Sequence, residues 1–128
     1  MKREELNKLT ETIIGISIDV HCELGPGLLE SVYQKCLAIA LRETGLRVDE
    51  QVPVPVFFRG HQISDEGYRL DMLVEGVVIL ELKSTLALTD VHKKQLLTYL
   101  KLLNKPLGLL INFNESVLKN GIRRIINC

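Results

Sequence analysis

Sixteen residues, Tyr68 to Lys83, constrain the fold more than any other stretch: Tyr-Arg-Leu-Asp-Met-Leu-Val-Glu-Gly-Val-Val-Ile-Leu-Glu-Leu-Lys. They read as two β-strands joined near Glu75-Gly76, apolar except for charges at a few positions. Side chains two apart on a strand leave the same face, so Glu81 and Lys83 project together. The turn decides whether Asp71 joins them. A two-residue turn at Glu75-Gly76 pairs Leu70 with Glu81 and sends Asp71 to the opposite face. A three-residue loop, Val74-Glu75-Gly76 with Gly76 left-handed in a bulge, pairs Leu73 with Val77 and Asp71 with Ile79. Glu81 is then the diagonal neighbour of Asp71, roughly 7–8 Å away between backbones, near enough for both carboxylates to share one cation. The reverse face becomes Leu70, Met72, Val78, Leu80 and Leu82, apolar throughout. That sorting favours the three-residue loop.

The flanking sequence supplies helices and further strands. Residues 4 to about 24 carry Leu6, Leu9, Ile13, Ile16 and Val20 at helical spacing, widened by Ile14, Ile18 and Leu24. Gly25-Pro26-Gly27 ends that helix. A second runs from about Leu28 to Thr44, with Val32, Cys36, Ile39 and Ala40 turned inward and Gly45 closing it. Val48 to Arg59 is extended, and Pro53 and Pro55 suit an edge position. Gly60-His61 turns the chain, and Gln62 to Ser64 continues the ribbon up to Asp65-Glu66-Gly67. Thr89-Asp90 caps a third helix reaching about Leu103, with Leu96, Leu100 and Leu103 as its core stripe. Leu107 to Phe113 is a continuous apolar run, the pattern of a strand buried on both faces. Gly121 to Ile126 is a last short strand. The order ααβββαβ(β) describes a mixed β-sheet flanked by helices, an α/β sandwich.

Length and composition limit the classes of function. A chain of 128 residues fits a single domain spanning 1–128 that buries about two-thirds of its unfolded surface. No apolar run reaches the roughly 18 residues of a membrane span, and the N-terminus leads into no signal-peptide core, so a cytoplasmic location without membrane contact is expected. Cys22, Cys36 and Cys128 are an odd set without metal-ligand spacing and read as reduced, structural thiols. Net charge is zero, which lacks the broad basic footprint of a strong nucleic-acid binder but leaves room for a local basic rim.

Paired carboxylates on adjacent strands suit a hard divalent cation such as Mg²⁺, which takes oxygen ligands, uses one or two carboxylates and keeps waters. A lysine beside such a cation can orient a water or stabilise developing phosphate charge. An ordinary surface ion-pair cluster explains the same spacing without any catalysis. Glu30, three residues after Gly27, shares a helix face with Tyr33. Gln95 and Tyr99 share a face of the third helix, with His92 one turn earlier. Each has a plainer reading: a helix-start acid favoured by the dipole, a polar surface residue, or core tyrosines with satisfied hydroxyls. A phosphate cradle at Gly25-Pro26-Gly27 is disfavoured, because no strand precedes it and no Lys-Ser/Thr follows.

Asp71, nine residues, then Glu81-Leu82-Lys83 resembles the signature of the PD-(D/E)XK nuclease superfamily. Gly27-Leu28-Leu29-Glu30-Ser31-Val32-Tyr33 is similar to the motif that names the GxxExxY family within it. Leu24-Gly25-Pro26-Gly27 before that motif, Gln95-Leu96-Leu97-Thr98-Tyr99-Leu100 after the Glu-Leu-Lys, and Gly108-Leu109-Leu110-Ile111-Asn112-Phe113 near the end extend the resemblance over about residues 10 to 126. Residue 70 is leucine where many members have proline. The resemblance implies a restriction-endonuclease-like core, Mg²⁺ (or Mn²⁺) as cofactor, and phosphodiester hydrolysis on DNA or another nucleic acid. It implies Asp71 and Glu81 as metal ligands, Lys83 as the water-orienting or charge-stabilising residue, Glu30 as an additional acid, Gln95 as the residue closing the site, and Tyr33 and Tyr99 in support. Two other readings stay open: a non-hydrolytic binding or assembly module that keeps the fold, and a hydrolase of small phosphate compounds. A homodimer could assemble a basic groove from Lys93, Lys94, Lys101, Arg123 and Arg124.

Overall fold

The computed structural model describes residues 1–64 and 68–128. Asp65-Glu66-Gly67, the expected end of the ribbon, lies outside the described residues. Two helices open the chain, α1 (Arg3–Leu24) and α2 (Glu30–Glu43). α1 buries Leu9, Ile13 and Val20 as its spacing predicts. α2 does not bury the expected stripe. Ile39 is 60% exposed and Val32 38%, whereas Tyr33, Leu37, Ala38 and Leu41 are buried. Both sets recur at helical spacing, and a tyrosine with two leucines removes more apolar area from water than the alternative set. Cys36 and Ala40 flank the core, while Cys22 and Cys128 are exposed thiols rather than buried ones.

The five-stranded sheet has the order β1-β4-β5-β6-β7. Its strands are β1 (Val48–Pro53), β4 (Arg69–Val74), β5 (Val78–Lys83), β6 (Leu107–Asn112) and β7 (Ile122–Ile126). β5 and β6 are parallel, joined through α3 (Asp90–Leu103), and the other neighbours are antiparallel. The result is the expected mixed sheet flanked by helices. β1 is an edge strand, and it stops at Pro53. Proline has no N–H for a ladder, so beyond the single Val54 N–H bond to Tyr68 O at 2.8 Å the Pro53–Pro55 segment carries the pairing no further. The extended segment therefore divides: β2 (Val56–Phe58) and β3 (His61–Ser64) form a separate ribbon. Its turn is Arg59-Gly60, one residue ahead of the expected Gly60-His61, with φ of +50° and +82°.

Alternation on the strands sorts two cores. Met72, Val74, Val78, Leu80 and Leu82 join Leu107, Leu109 and Ile111 beneath α1 and α2. Ile79, Leu110 and Leu70 pack under Leu96, Tyr99 and Leu100 of α3. β6 is buried along its whole length, as its apolar run predicts. Gly108 lets α3 pack closely on β6, because a Cβ there would lie 2.8 Å from Leu96 Cδ1 and push that side chain aside. α3 starts at the Thr89 cap, whose Oγ1 accepts from His92 N–H while His92 Nδ1 accepts from Thr89 N–H. His92 is thereby a capping residue.

Candidate metal and active site

The central hairpin differs from its expected register by one step on each side. The ladder pairs Met72 with Leu80, Leu73 with Ile79 and Val74 with Val78, in place of Leu73 with Val77 and Asp71 with Ile79. Glu75 and Gly76 both take left-handed φ (+53° and +66°), and Val77 N–H closes the turn on Val74 O at 3.0 Å. Glu75-Gly76-Val77 is thus the excluded triplet. Glu75 N–H donates to Arg47 O at 2.8 Å, a tie to the start of β1 that local turn rules do not contain. Counting on in this register sets Asp71 opposite Glu81 rather than diagonal to it.

At that position the two acids interlock with the main chain. Asp71 N–H donates to Glu81 Oε2 at 2.9 Å, and Leu82 N–H donates to Asp71 Oδ2 at 2.8 Å. Carboxylates accept the bonds at the point where the backbone ladder ends. Strand alternation breaks there too. Leu70, expected beside Met72 on one face, instead joins the core under α3.

Glu81 is buried, with 5% of its surface exposed. Burial, then the negative charge of Asp71, pushes its carboxyl from the usual 4.5 up to about 8, and Lys83 pulls in the opposite direction. Lys83 follows two residues later on the same strand, half-buried, and forms no ion pair among the described residues. The Tyr99 hydroxyl is pushed up by burial first, and then by the charges of Glu81, Tyr68 and Asp71, and its ring packs in one core with Leu70 and Ile79.

The other expected site residues divide. Glu30 begins α2, and its Oε1 accepts from Ser84 N–H at 3.2 Å, one residue past Lys83. Ser84 Oγ also donates to Leu28 O at 2.9 Å, so the loop before α2 is tied to the end of β5. Tyr33 lies away from the acids. Its hydroxyl donates to Gly25 O and accepts from Leu28 N–H, and its ring stacks on Phe113 at 4.5 Å. It therefore clamps the loop that presents Glu30. Gln95 is exposed and lines a cleft with Tyr68 and Tyr99.

Two glutamines absent from the sequence-based set reach the site. Arg42 pairs with Glu50 Oε2 at 3.0 Å, and Glu50 Oε1 accepts from Gln34 Nε2 at 3.1 Å. Gln34 Oε1 accepts from Gln51 Nε2 at 2.7 Å, and Gln51 Nε2 lies 3.5 Å from Asp71 Oδ1. The charged anchor fixes both amide orientations, so an N–H rather than a carbonyl faces Asp71. Gln51 has φ +50° within a strand, a strained conformation of the kind found at functional positions. Gln34 had a signal, one turn after Glu30 on the same helix face. Gln51 had none.

The pair fits a divalent cation. One oxygen of each carboxylate is taken by a backbone donor, leaving Glu81 Oε1 and, beside the Gln51 amide at 3.5 Å, a further lone pair of Asp71 Oδ1 for a metal, and neither acid has an ion-pair partner among the described residues. Among those residues no third His, Cys, Asp or Glu joins the cluster. Two carboxylates with waters or phosphate completing the shell is an arrangement suited to Mg²⁺ rather than to a closed zinc site.

A mixed sheet between helical layers, with two acids and a lysine on adjoining central strands, defines a restriction-endonuclease-like nuclease fold. The family model for the PD-(D/E)XK nuclease superfamily matches residues 7–125, and the chain belongs to that superfamily. Such nucleases generally use divalent metal ions and act on nucleic acid. No curated protein and no solved structure matches the chain. No helix among the described residues is long and apolar enough to cross a membrane.

Proposed function

We propose that this protein is a Mg²⁺- or Mn²⁺-dependent nuclease of the GxxExxY type, a single cytoplasmic domain hydrolysing phosphodiester bonds in DNA or another nucleic acid. The observation that carries the reading is the interlocked Asp71–Glu81 pair with Lys83 two residues along. A divalent cation held by the two carboxylates supplies charge neutralisation at the phosphate and a lowered pKa for water. Lys83 orients the attacking water and stabilises negative charge as the P–O bond to the leaving sugar oxygen breaks. Glu30, through Ser84 N–H, positions the chain just after Lys83. Gln51 holds Asp71 Oδ1, and Tyr99 and Gln95 line the cleft on the α3 side. Tyr33 supports the Glu30 loop.

A symmetric dimer would gather Lys93, Lys94, Lys101, Arg123 and Arg124 into a groove for the nucleic-acid backbone. Arg124 donates to Asn7 Oδ1, and Arg123 to the carbonyls of Asn120 and Ile122, so these two are already held in place. A non-hydrolytic binding module is the second reading. It is favoured by the engagement of Glu30 with a backbone amide and by a net charge of zero. Calorimetric titration of wild type and Asp71→Ala with Mg²⁺ and Mn²⁺, followed by cleavage assays on single-stranded, duplex and branched DNA and RNA, separates the two. The nuclease reading expects metal binding by the wild type alone and cleavage of at least one substrate. Metal binding without cleavage of any substrate overturns it in favour of the binding module.

A further inference from the structure

A cleft of about 300 Å³ is lined by Val56, Tyr68, Gln95, Thr98, Tyr99 and Leu102, and its Tyr99 wall shares one core with Leu70, the residue before Asp71, and Ile79, two before Glu81. None of these side chains carries a formal charge at neutral pH. Tyr68 and Tyr99 meet edge to face, with ring centroids 6.4 Å apart at 67°. Tyr99 is 5% exposed and fixed in the core under α3, whereas Tyr68 is 48% exposed. The Tyr68 backbone is nevertheless anchored, because its carbonyl accepts Val54 N–H at 2.8 Å. Tyr68 precedes Asp71 by three residues, and Tyr99 belongs both to the cleft wall and to the core that holds Leu70 and Ile79, strand neighbours of Asp71 and Glu81.

An uncharged cleft with aromatic walls offers little to a phosphate. The uncharged, flat part of a nucleotide is its base, and every base has a face that stacks on an aromatic ring. Gln95 supplies an amide donor and acceptor for a base edge, and Thr98 Oγ1, which donates to Lys94 O at 3.0 Å, keeps its acceptor capacity. Zero net charge limits the affinity available from phosphate contacts, so holding a nucleic acid calls for base contacts as well. A base paired and stacked inside a continuous duplex cannot reach Tyr68 without being extruded.

We infer that the Tyr68–Tyr99 cleft receives an unpaired nucleobase next to the phosphate that a cation on Asp71 and Glu81 would hold, so that the substrate is single-stranded nucleic acid rather than continuous duplex. The position of that phosphate rests on the nuclease reading; the binding of the base does not.

The test is a fluorescence titration in EDTA and in Ca²⁺, using a short single-stranded DNA with one central 2-aminopurine and the same strand annealed to its complement. Wild type should bind the single strand at least about tenfold tighter than the duplex and quench the 2-aminopurine by stacking. Tyr68→Ala should lose about tenfold or more in affinity together with the quench, and Tyr68→Phe should keep both. Thr98→Tyr, a change at an exposed helix position that fills the cleft, should lose both while circular dichroism shows an intact fold. Equal affinity for single strand and duplex, or an unchanged quench in Tyr68→Ala or Thr98→Tyr, overturns the inference. Preferential cleavage of duplex would also overturn it, while leaving the nuclease reading intact. A Tyr68-dependent quench without cleavage of any substrate supports the cleft and sinks the nuclease reading instead.

Discussion

Replacing Glu81 by glutamine tests the electrostatics of the site without any substrate. Glutamine keeps an oxygen to accept Asp71 N–H and gains an NH₂ that can face the Asp71 carboxylate, so it mimics the protonated acid. The Glu81 carboxyl is raised from 4.5 to about 8 in the fold, mainly by burial and then by Asp71. The sign follows from which state holds the proton. Between these values the folded chain keeps the proton and the unfolded chain releases it, so the stabilisation is fully present below pH 4.5. It is lost as pH rises toward about 8. The magnitude follows from about 1.4 kcal/mol per pH unit: from pH 5 to pH 8 this one group lowers metal-free stability by roughly 3–4 kcal/mol. Urea unfolding in EDTA at several pH values provides the assay, read as the difference between wild type and Glu81→Gln so that other titrating groups cancel. The two should be similar near pH 5, and the variant should be more stable by that amount at pH 8. Mg²⁺ should restore the wild type increasingly as pH rises, because the bound cation favours the ionised acid, and should do little for the variant. Parallel curves for the two proteins would refute the buried, charge-coupled pair.

Lys83→Met keeps the aliphatic stem and removes the charge; turnover at saturating Mg²⁺ should fall on the order of 10²–10³-fold with metal affinity retained by calorimetry. Gln51→Ala leaves the left-handed backbone equally strained but removes the donor facing Asp71, so metal affinity should fall roughly 10–100-fold with little change in melting temperature. Tyr33→Phe preserves the stack on Phe113 but removes the hydroxyl bonded to Gly25 O and Leu28 N–H, costing about 1–3 kcal/mol in urea unfolding. Gly108→Ala places a methyl group against Leu96 and should cost about 1–3 kcal/mol by the same measurement.

The elements that sequence periodicity reaches are those whose burial has one solution. The β6 run is apolar at every position, and α3 carries its cap and core stripe in a local pattern, so both form where the sequence places them. α2 carries two competing apolar stripes. Its rotation is decided by the sheet and α1, a tertiary choice invisible to a single helical wheel. The hairpin shows a subtler limit. Its turn residues leave several registers open, and the one adopted is fixed in part by Glu75 N–H reaching Arg47 O. The shared side for Asp71 and Glu81 survives the shift because the alternative three-residue loop moves both strands' pairing by an even total, conserving the facing parity.

That parity accounts for the acids meeting, and the broken ladder accounts for how they are held. In a regular antiparallel pair, alternate opposed residues exchange backbone hydrogen bonds and the side chains stand away from the sheet. Here Asp71 and Glu81 turn inward along the sheet and accept N–H donors, from Leu82 and Asp71 respectively. Each carboxylate therefore has one oxygen committed to the fold and a second oriented by that commitment. Fixing a carboxylate by a main-chain donor removes rotamer freedom before any ligand arrives, which is the form of preorganisation a metal site needs. The same step sends Leu70 to the α3 side, where it packs in one core with Tyr99 and Ile79. The irregularity that aims the acids thus also seats the helix bearing Tyr99 and Gln95, so the geometry of the site and the packing of α3 are set by one local departure from strand pairing.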